Sequence, residues 1–507
     1  MDDVDRLDPL WPLRWVLTTD HERLGLLYLV VGTGTGLWGA VDAMMLRTAL
    51  LTPKANIYGE MTYNALFTAH GLTMLFLFAV PVVFGLGSYL LPTLVGADEV
   101  ALPRVNAACL WLLPPAIVVV RIGLLTDLVG YHVIEPPMTG WTFYPPLSLE
   151  KQNAGVTIVL AGIFVASAGF VANAANFLTT VVSERTVPWH RLDIFSWTML
   201  VTSGMVLFAF PMLMAAALML VLDRVAGTPF FVGDPLGFQH MFWFFGHPVV
   251  YILVLPPMGI LSLVIPRFSG RRLFGYEGAV YSTLAIGVLS FGLWAHHMFT
   301  TGLDPRIQSS FMAVTLAIAV PSSVKVLDWL ATMWNGRIRL DAPMLFAVGA
   351  IANFVVGGVT GVFVAAVPVD DFLHGTIYVV GHFHFLFVGT IVFALFSASY
   401  YWYPLFTGRT YNHTLAAIHF WLSMAGVVFA FGAMLVMGMD GLPRRMAAYP
   451  PAFAGAQQFA TVAAFVLGVG QLVWLWNVVR SLWHGESVGA DPWDLGDSGL
   501  RTPEWEE

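Results

Sequence analysis

The sequence predicts an all-α, polytopic membrane protein of about twelve transmembrane helices. Of its 507 residues, 58% are hydrophobic and 11% charged, and the mean hydropathy is +0.75. Soluble domains carry about 25% charge. The apolar residues also gather into stretches long enough to cross a hydrocarbon core of about 30 Å, which takes about 20 residues per helix. In chain order these stretches are about 24–48, 64–96, 104–126, 154–183, 194–224, 238–266, 277–302, 309–334, 343–367, 375–404, 413–437 and 456–482. The breaks between them carry turn punctuation, such as LVGADEV after the second stretch, FSGRR after the sixth and WNGR after the eighth.

The chain reads as one integral-membrane domain over 1–507, with polar tails at 1–20 and 485–507. The start, MDDVDRLDPLWPLRW, has neither a basic n-region nor an apolar h-region, so no cleavable signal is expected. A single Cys excludes a disulfide framework, a Cys-based metal site and an iron–sulfur cluster. The formal charge of −8 comes largely from the acidic tails, Met1–Asp8 and Asp491–Glu507, and argues against a nucleic-acid partner. Arginines concentrate on one side, in the loops after the even-numbered spans (Arg104, Arg185, Arg191, Arg267, Arg271, Arg272, Arg337, Arg339 and Arg409). The other side has fewer cations, among them Lys54, Lys151, Arg224, Arg306, Arg444 and Arg445. The positive-inside rule therefore places both termini in the cytoplasm.

Ionisable residues inside spans are costly and point to function. Of fourteen histidines, six fall well inside predicted spans: His70, His247, His296, His297, His382 and His384. One intramembrane histidine is as readily structural as ligating, but six on four helices are hard to explain structurally. In GHFHF, His382 and His384 stand two residues apart, about 200° around a helix, so each can serve a different haem on opposite sides. In WAHHMF, His296 and His297 stand about 100° apart, so both could reach one ion if the helix is locally tilted. With His247 on the preceding span they offer three imidazoles and an open position, a set that suits copper. His70, in FTAHGLTM, is left to pair with His384 or His382 across a haem. Tyr251 follows His247 by one helical turn and shares its face.

With these residues in view, the chain resembles subunit I of the haem-copper oxidases, the family of cytochrome c oxidases and quinol oxidases. The resemblance runs from about Thr18 to Arg480 and rests on LTTDHERLGLLYL, FTAHGLTML, GWTFYPPLS, FFGHPVVYILVLP, WAHHMFTTGLDP, AVPSSVKVLDWLATM, HGTIYVVGHFHF and MDGLPRR. It implies a catalytic subunit that reduces dioxygen to water, with two haems and one copper ion enclosed by the spans. By resemblance, His70 and His384 are the axial pair of a low-spin haem, and His382 is the single protein ligand of a high-spin, oxygen-binding haem. His247, His296 and His297 are the copper ligands, and Tyr251 is the tyrosine cross-linked to His247. A haem with two histidines is saturated and passes electrons, whereas one with a single histidine leaves a site for oxygen. The resemblance favours haem A, although ligands alone do not fix the haem type.

Arg444 and Arg445 are similar to the pair that binds haem propionates, and their forked guanidinium groups suit carboxylates. Asp370, Arg47 and Trp141 match further positions near the haems. His374 matches an outer metal-site histidine, but the next residue is Gly375 where the family has an acid, which argues against magnesium. Lys325, one of three lysines in the chain, resembles with Ser322 and Ser262 a proton path to the tyrosine. Asp328 lies three residues beyond Lys325 and is expected to pair with it. The position of the familiar helix-six glutamate is Val249, preceded by Phe245-Gly246, so the usual terminus of a second path is missing. Glu99 and Asn106 resemble that path's entrance, with Ser88 in place of a common Asn.

Tyr251 and Lys325 speak against the related nitric oxide reductases. A twelve-span secondary transporter with a histidine-lined route would share the helices but predicts no pigment. The stretch AVDAMMLR resembles quinol oxidases, and Asp42 matches an acid of their quinol site. The partners expected with that acid are Trp38, Thr62 and Ala65 here, so the reading leans to cytochrome c or a similar small redox protein as donor. A subunit II that receives the electrons, and a subunit III or other small subunits, are the partners implied, in the cytoplasmic membrane.

Overall fold

The computed structural model of the protein describes residues 11–131, 133–150, 153–489, 491–496 and 500–505. The tail up to residue 10 and Lys151, both used in the sequence reading, lie outside the described residues. Among the described residues, β-structure is confined to isolated bridges between Thr376 and Pro443 and between Arg409 and Ser487.

Among the described residues, twelve helices are long and apolar enough to cross a membrane: α1 (His21–Ala49), α2 (Gly59–Val95), α3 (Pro103–Leu128), α4 (Ala154–Glu184), α5 (Ile194–Val225), α6 (Pro235–Ser269), α7 (Tyr276–Thr301), α8 (Pro305–Met333), α9 (Ala342–Ala365), α10 (Ile377–Tyr401), α11 (His413–Met439) and α12 (Pro451–His484). Each contains the core of one expected stretch. Their starts are set by capping residues that sequence hydropathy does not register. Asp304 accepts the Arg306 amide at 2.8 Å and starts α8 at Pro305, ahead of the expected 309. Asp234 caps α6 in the same way through Gly237 at 2.9 Å.

Small residues let the helices close on one another, as expected where lipid offers no hydrophobic drive between them. A Cβ on Gly25 of α1 would lie 2.9 Å from the Gly85 carbonyl oxygen of α2, and one on Gly85 would lie 3.0 Å from that of Gly25. The helix α6 is the central rod, with 89% of its most apolar stretch buried, whereas α8 is peripheral at 11%.

Three departures from regular α-helix fall beside histidines. The helix α2 widens to a π-helix over Thr73–Ala79, starting three residues after His70. The helix α10 does so over Phe387–Val392, starting three residues after His384. The helix α7 tightens to 3₁₀ over Trp294–Thr301, which holds both His296 and His297. Such distortions are enriched at functional sites.

The segment after α12, read from sequence as a polar tail, packs back on the bundle. Trp493 stacks on Tyr401 with ring centroids 5.8 Å apart, and the Trp505 indole donates to the Tyr401 hydroxyl at 2.8 Å.

Candidate metal and cofactor centre

A cavity of about 1600 Å³ runs through the bundle, and all six histidines singled out from the sequence line it. They divide into two groups by what their ring nitrogens meet.

His247 of α6 and His296 and His297 of α7 form one group, whose candidate ligand atoms lie within 4.8 Å of one another. Adjacent residues converge here on a 3₁₀ turn of α7, a tightening of the backbone where the sequence suggested only a tilt. His247 Nδ1 lies 3.1 Å from His297 Nε2. The buried His247 Nε2 has no hydrogen-bond partner. Thr315 of α8 lies 3.1 Å from His296 Nδ1, and Trp243 stacks on His297 at 3.7 Å with the planes 10° apart. Three nitrogens converging without a carboxylate suit a copper or zinc ion, and the set fits copper. Tyr251 sits beside His247, ring centroids 4.8 Å apart and planes inclined at 52°.

His70, His382 and His384 form the other group. Each ring places Nδ1 against a backbone carbonyl: Gly39 at 2.9 Å, Gly357 at 3.0 Å and Val380 at 2.8 Å, respectively. A carbonyl oxygen only accepts, so Nδ1 carries the proton and Nε2 keeps its lone pair. That tautomer is the one that ligates a metal through Nε2, oriented by the bond behind it. His382 engages α9 through Gly357 and Thr360, while the His384 ring lies 4.7 Å from Phe431 of α11. The two rings of GHFHF thus serve opposite sides of α10, as their spacing predicted.

The cavity's polar rim is built by loops at one end of the bundle. Arg444 and Arg445 line it, and no carboxylate among the described residues pairs with either guanidinium. Burial and the neighbouring Arg445 lower Arg444 to about 10. Arg445 holds a left-handed backbone with φ of 66°, a conformation that non-glycine residues keep only where surroundings enforce it. Two cations without a carboxylate partner at a cavity edge, Arg444 half-buried and Arg445 exposed, call for anions, and haem propionates fit. Tyr144 beneath them, pushed up to about 12 by burial, accepts a hydrogen bond from Trp243. Asp370 accepts from His374 at 2.7 Å. Trp141 packs edge-on to Phe242 at 5.3 Å, and Arg47 is tied to α12 through Gln457 at 2.8 Å and Thr461 at 3.0 Å. All four of Asp370, His374, Trp141 and Arg47 line the cavity.

Lys325 and Asp328 act on each other through their charges, as expected, but form no direct ion pair. The buried Lys325 ammonium donates to the Ala279 carbonyl and to Thr283 Oγ1 at 2.5 Å, both on α7. The Asp328 carboxylate turns instead toward the start of α7, where a Cβ on Gly275 would lie 2.5 Å from Oδ1. Its Oδ2 has no partner. Spacing of three residues put both side chains near one helix face, but a closer acceptor on the neighbouring helix took the ammonium. Ser262 accepts the Trp329 indole at 2.9 Å, which ties α6 to α8, and Ser322 lines the cavity.

At the position of the absent glutamate, Val249 is buried, and Phe245 just before it stacks on Phe76 at 5.9 Å. A polar ladder does exist nearer the chain start. Glu99 accepts the His21 amide at 3.1 Å, His21 Nδ1 meets the Ser88 carbonyl at 3.0 Å, and Ser88 donates to Asn106 at 3.1 Å. Burial raises the Glu99 carboxyl above its ordinary range. Asp42 is fully engaged: its two oxygens take Arg121 Nη1 at 2.5 Å and Nη2 at 2.9 Å. Sequence reading missed Thr283, Thr315, Thr360 and Arg121. Only Arg121, a charge within an apolar stretch, carried a signal that could have found it.

Comparison with known proteins bears on this arrangement. The sequence profile of the family described as cytochrome c and quinol oxidase polypeptide I matches residues 23–473. Cytochrome c oxidase polypeptide 1 of Halobacterium salinarum is 52% identical over 499 residues, covering 97% of this chain and 83% of that protein. Cytochrome c oxidase subunit 1 of a Synechocystis strain is 39% identical over 489 residues, covering 95% and 87%. A haem-copper terminal oxidase dimer solved by cryo-electron microscopy superposes with a TM-score of 0.78 at 19% identity, covering 95% and 86%.

Proposed function

The chain belongs to the cytochrome c and quinol oxidase polypeptide I family and is the catalytic subunit of a membrane terminal oxidase, and on that premise we propose how its residues divide the work. Membership implies haems and copper, other subunits and a redox donor. We assign His70 and His384 to a low-spin haem, His382 to a high-spin haem, and His247, His296 and His297 to one copper. The observation that carries this is the division of ring nitrogens: three histidines hold Nδ1 on carbonyls, and three converge on one another. When bound, these groups supply the electrons and the open coordination site at which dioxygen is reduced.

The chain's own residues hold, orient and deliver protons. Arg444 and Arg445 anchor propionates as paired cations. Trp243 and Thr315 fix the rings of His297 and His296. We propose that Tyr251 is cross-linked to His247 and gives a proton and an electron; the unpartnered, buried His247 Nε2 beside it supports this. Protons reach Tyr251 from Lys325 along α6, where Ser262, eleven residues on, lies about 20° from Tyr251 around the helix. The cavity lining includes apolar side chains such as Val254, Met258 and Leu26, which suit a prenyl tail and favour haem A.

The donor is cytochrome c or a similar small redox protein, through a subunit II, with further small subunits alongside. The engagement of Asp42 by Arg121 supports this over quinol, because no free carboxylate remains there. A magnesium at His374 is disfavoured, since Gly375 offers no ligand. Both termini face the cytoplasm across the cytoplasmic membrane. The test is pyridine haemochrome spectroscopy with metal analysis, alongside oxygen uptake with cytochrome c and with quinol. Two haems and one such copper per chain, with uptake driven by cytochrome c, are expected. A chain without haem bands, or with iron in the copper position, would overturn the assignment.

A further inference from the structure

Asp42 of α1 and Arg121 of α3 form an ion pair at membrane depth, with 2% and 1% of their surfaces exposed. A buried pair is weak evidence for stability, because desolvation of both charges offsets their attraction. Ionisable residues in a bilayer span default to function, and none of the roles assigned above uses this pair.

Its surroundings indicate what it acts on. Arg121 Nη1 also donates to Thr73 Oγ1 at 3.1 Å, and the guanidinium lies over the Trp38 ring at 4.4 Å. Thr73 stands three residues after His70 on α2, and Asp42 stands three residues after Gly39 on α1. The Gly39 carbonyl is the acceptor that holds His70 Nδ1, at 2.9 Å. Residues three apart on a helix are neighbours, and α1 and α2 run antiparallel, so Asp42 and Thr73 flank the His70–Gly39 bond and Arg121, which holds both, ties the two helices there. The helices are in contact there, since a Cβ on Gly39 would lie 3.2 Å from Thr73 Cγ2. Thr73 is also the first residue of the π segment of α2.

We propose that the Asp42–Arg121 pair positions His70 and sets the electrostatic field at the haem His70 holds, thereby tuning that haem's reduction potential. The inference rests on the assignment of His70 to a low-spin haem. As a pair the two charges largely cancel, and their residual field is that of a short dipole. Alone, the carboxylate opposes arrival of an electron and the guanidinium favours it, more strongly in an apolar medium than in water.

The experiment is optical redox titration of the low-spin haem in the purified complex, with electron paramagnetic resonance to report its ligand field. Arg121→Gln is expected to lower the midpoint potential, Asp42→Asn to raise it, and the double variant to return close to wild type. A merely structural contact would move both single variants the same way, and that result, or no shift with haem bound, would overturn the proposal. Thr73→Val keeps every charge and removes only the tie to α2. It remains informative if a single charge variant fails to assemble. It is expected to alter the low-spin resonance with little change in potential, and an unaltered resonance would refute the positioning role. A wild-type complex lacking a bis-histidine low-spin signal would instead overturn the assignment of His70.

Discussion

Gly361→Ala is the smallest change expected to separate the two haem sites. A Cβ at Gly361 would lie 2.8 Å from His382 Cε1, where ordinary contact begins at 3.4 Å. The ring must therefore retreat by about 0.6 Å, because carbon–carbon repulsion is steep inside contact distance. It is not free to do so, since Nδ1 is held by the Gly357 carbonyl at 3.0 Å and by Thr360 at 3.2 Å. Retreat stretches those bonds and misaims the lone pair of Nε2. Catalytic constellations tolerate about 0.5 Å, and a misplacement of about 1 Å costs on the order of 10²-fold in rate. We expect turnover to fall roughly ten- to hundredfold by the same reasoning. Carbon monoxide binding, which reports the oxygen-binding haem, should weaken or change its spectrum, while the low-spin haem bands persist. Gly204→Ala is the control, because a Cβ there meets nothing within 4 Å. Turnover within twofold of wild type and an unchanged carbon monoxide spectrum would show that His382 does not carry the reaction as argued.

Three further outcomes follow from the geometry. Thr283→Val removes a hydrogen bond to the Lys325 ammonium; bonds to charged groups are worth about 1.5–3 kcal/mol, so the proton-coupled step should slow roughly ten- to hundredfold in stopped-flow measurements. Asp328→Asn removes a charge that acts on Lys325 without a direct bond, so it should slow that step less than Thr283→Val does, and an effect as large would restore the direct pairing read from sequence. His296→Ala should lose the copper by metal analysis yet keep the low-spin haem spectrum, whereas retention of copper would show that the ion sits elsewhere. Arg224→Ala strips the cation that donates to Thr157, Ser148, Glu150 and Asn153; a loss of about 3 kcal/mol or more, seen as a lower melting temperature in detergent, is expected.

The helices and the ligand set were legible in the sequence for separate physical reasons. Lipid demands long apolar runs, so the spans announce themselves through hydropathy. Histidine is costly in such runs, so the six ligand candidates stand out, while His419 of α11 is a buried ring held by Tyr400. What stayed hidden was backbone acceptors and contacts made between helices. Gly39 and Gly357 hold His70 and His382 through carbonyl oxygens, which every residue has. The 3₁₀ turn that brings His296 and His297 together follows from packing and leaves no compositional trace. The direct partner of Lys325 was missed because spacing describes one helix, whereas Thr283 approaches from another. The tail was read as polar from its acids, although Trp493 and Trp505 were the sign that it packs.

The π segments in α2 and α10 have a consequence for how these helices are built. Each π turn spends one residue more than an α turn would, which rotates everything beyond it by about 100° relative to an unbroken rod. The half that bears the histidine and the half that packs below it therefore keep separate angular phases, joined as by a coupling with a fixed offset. Shortening the Thr73–Ala79 or Phe387–Val392 segment by one residue would regularise the helix and swing His70 or His384 away from its aim while the other half stayed packed. The irregular turn is thus the adjustment that lets one continuous helix satisfy two sets of neighbours at once.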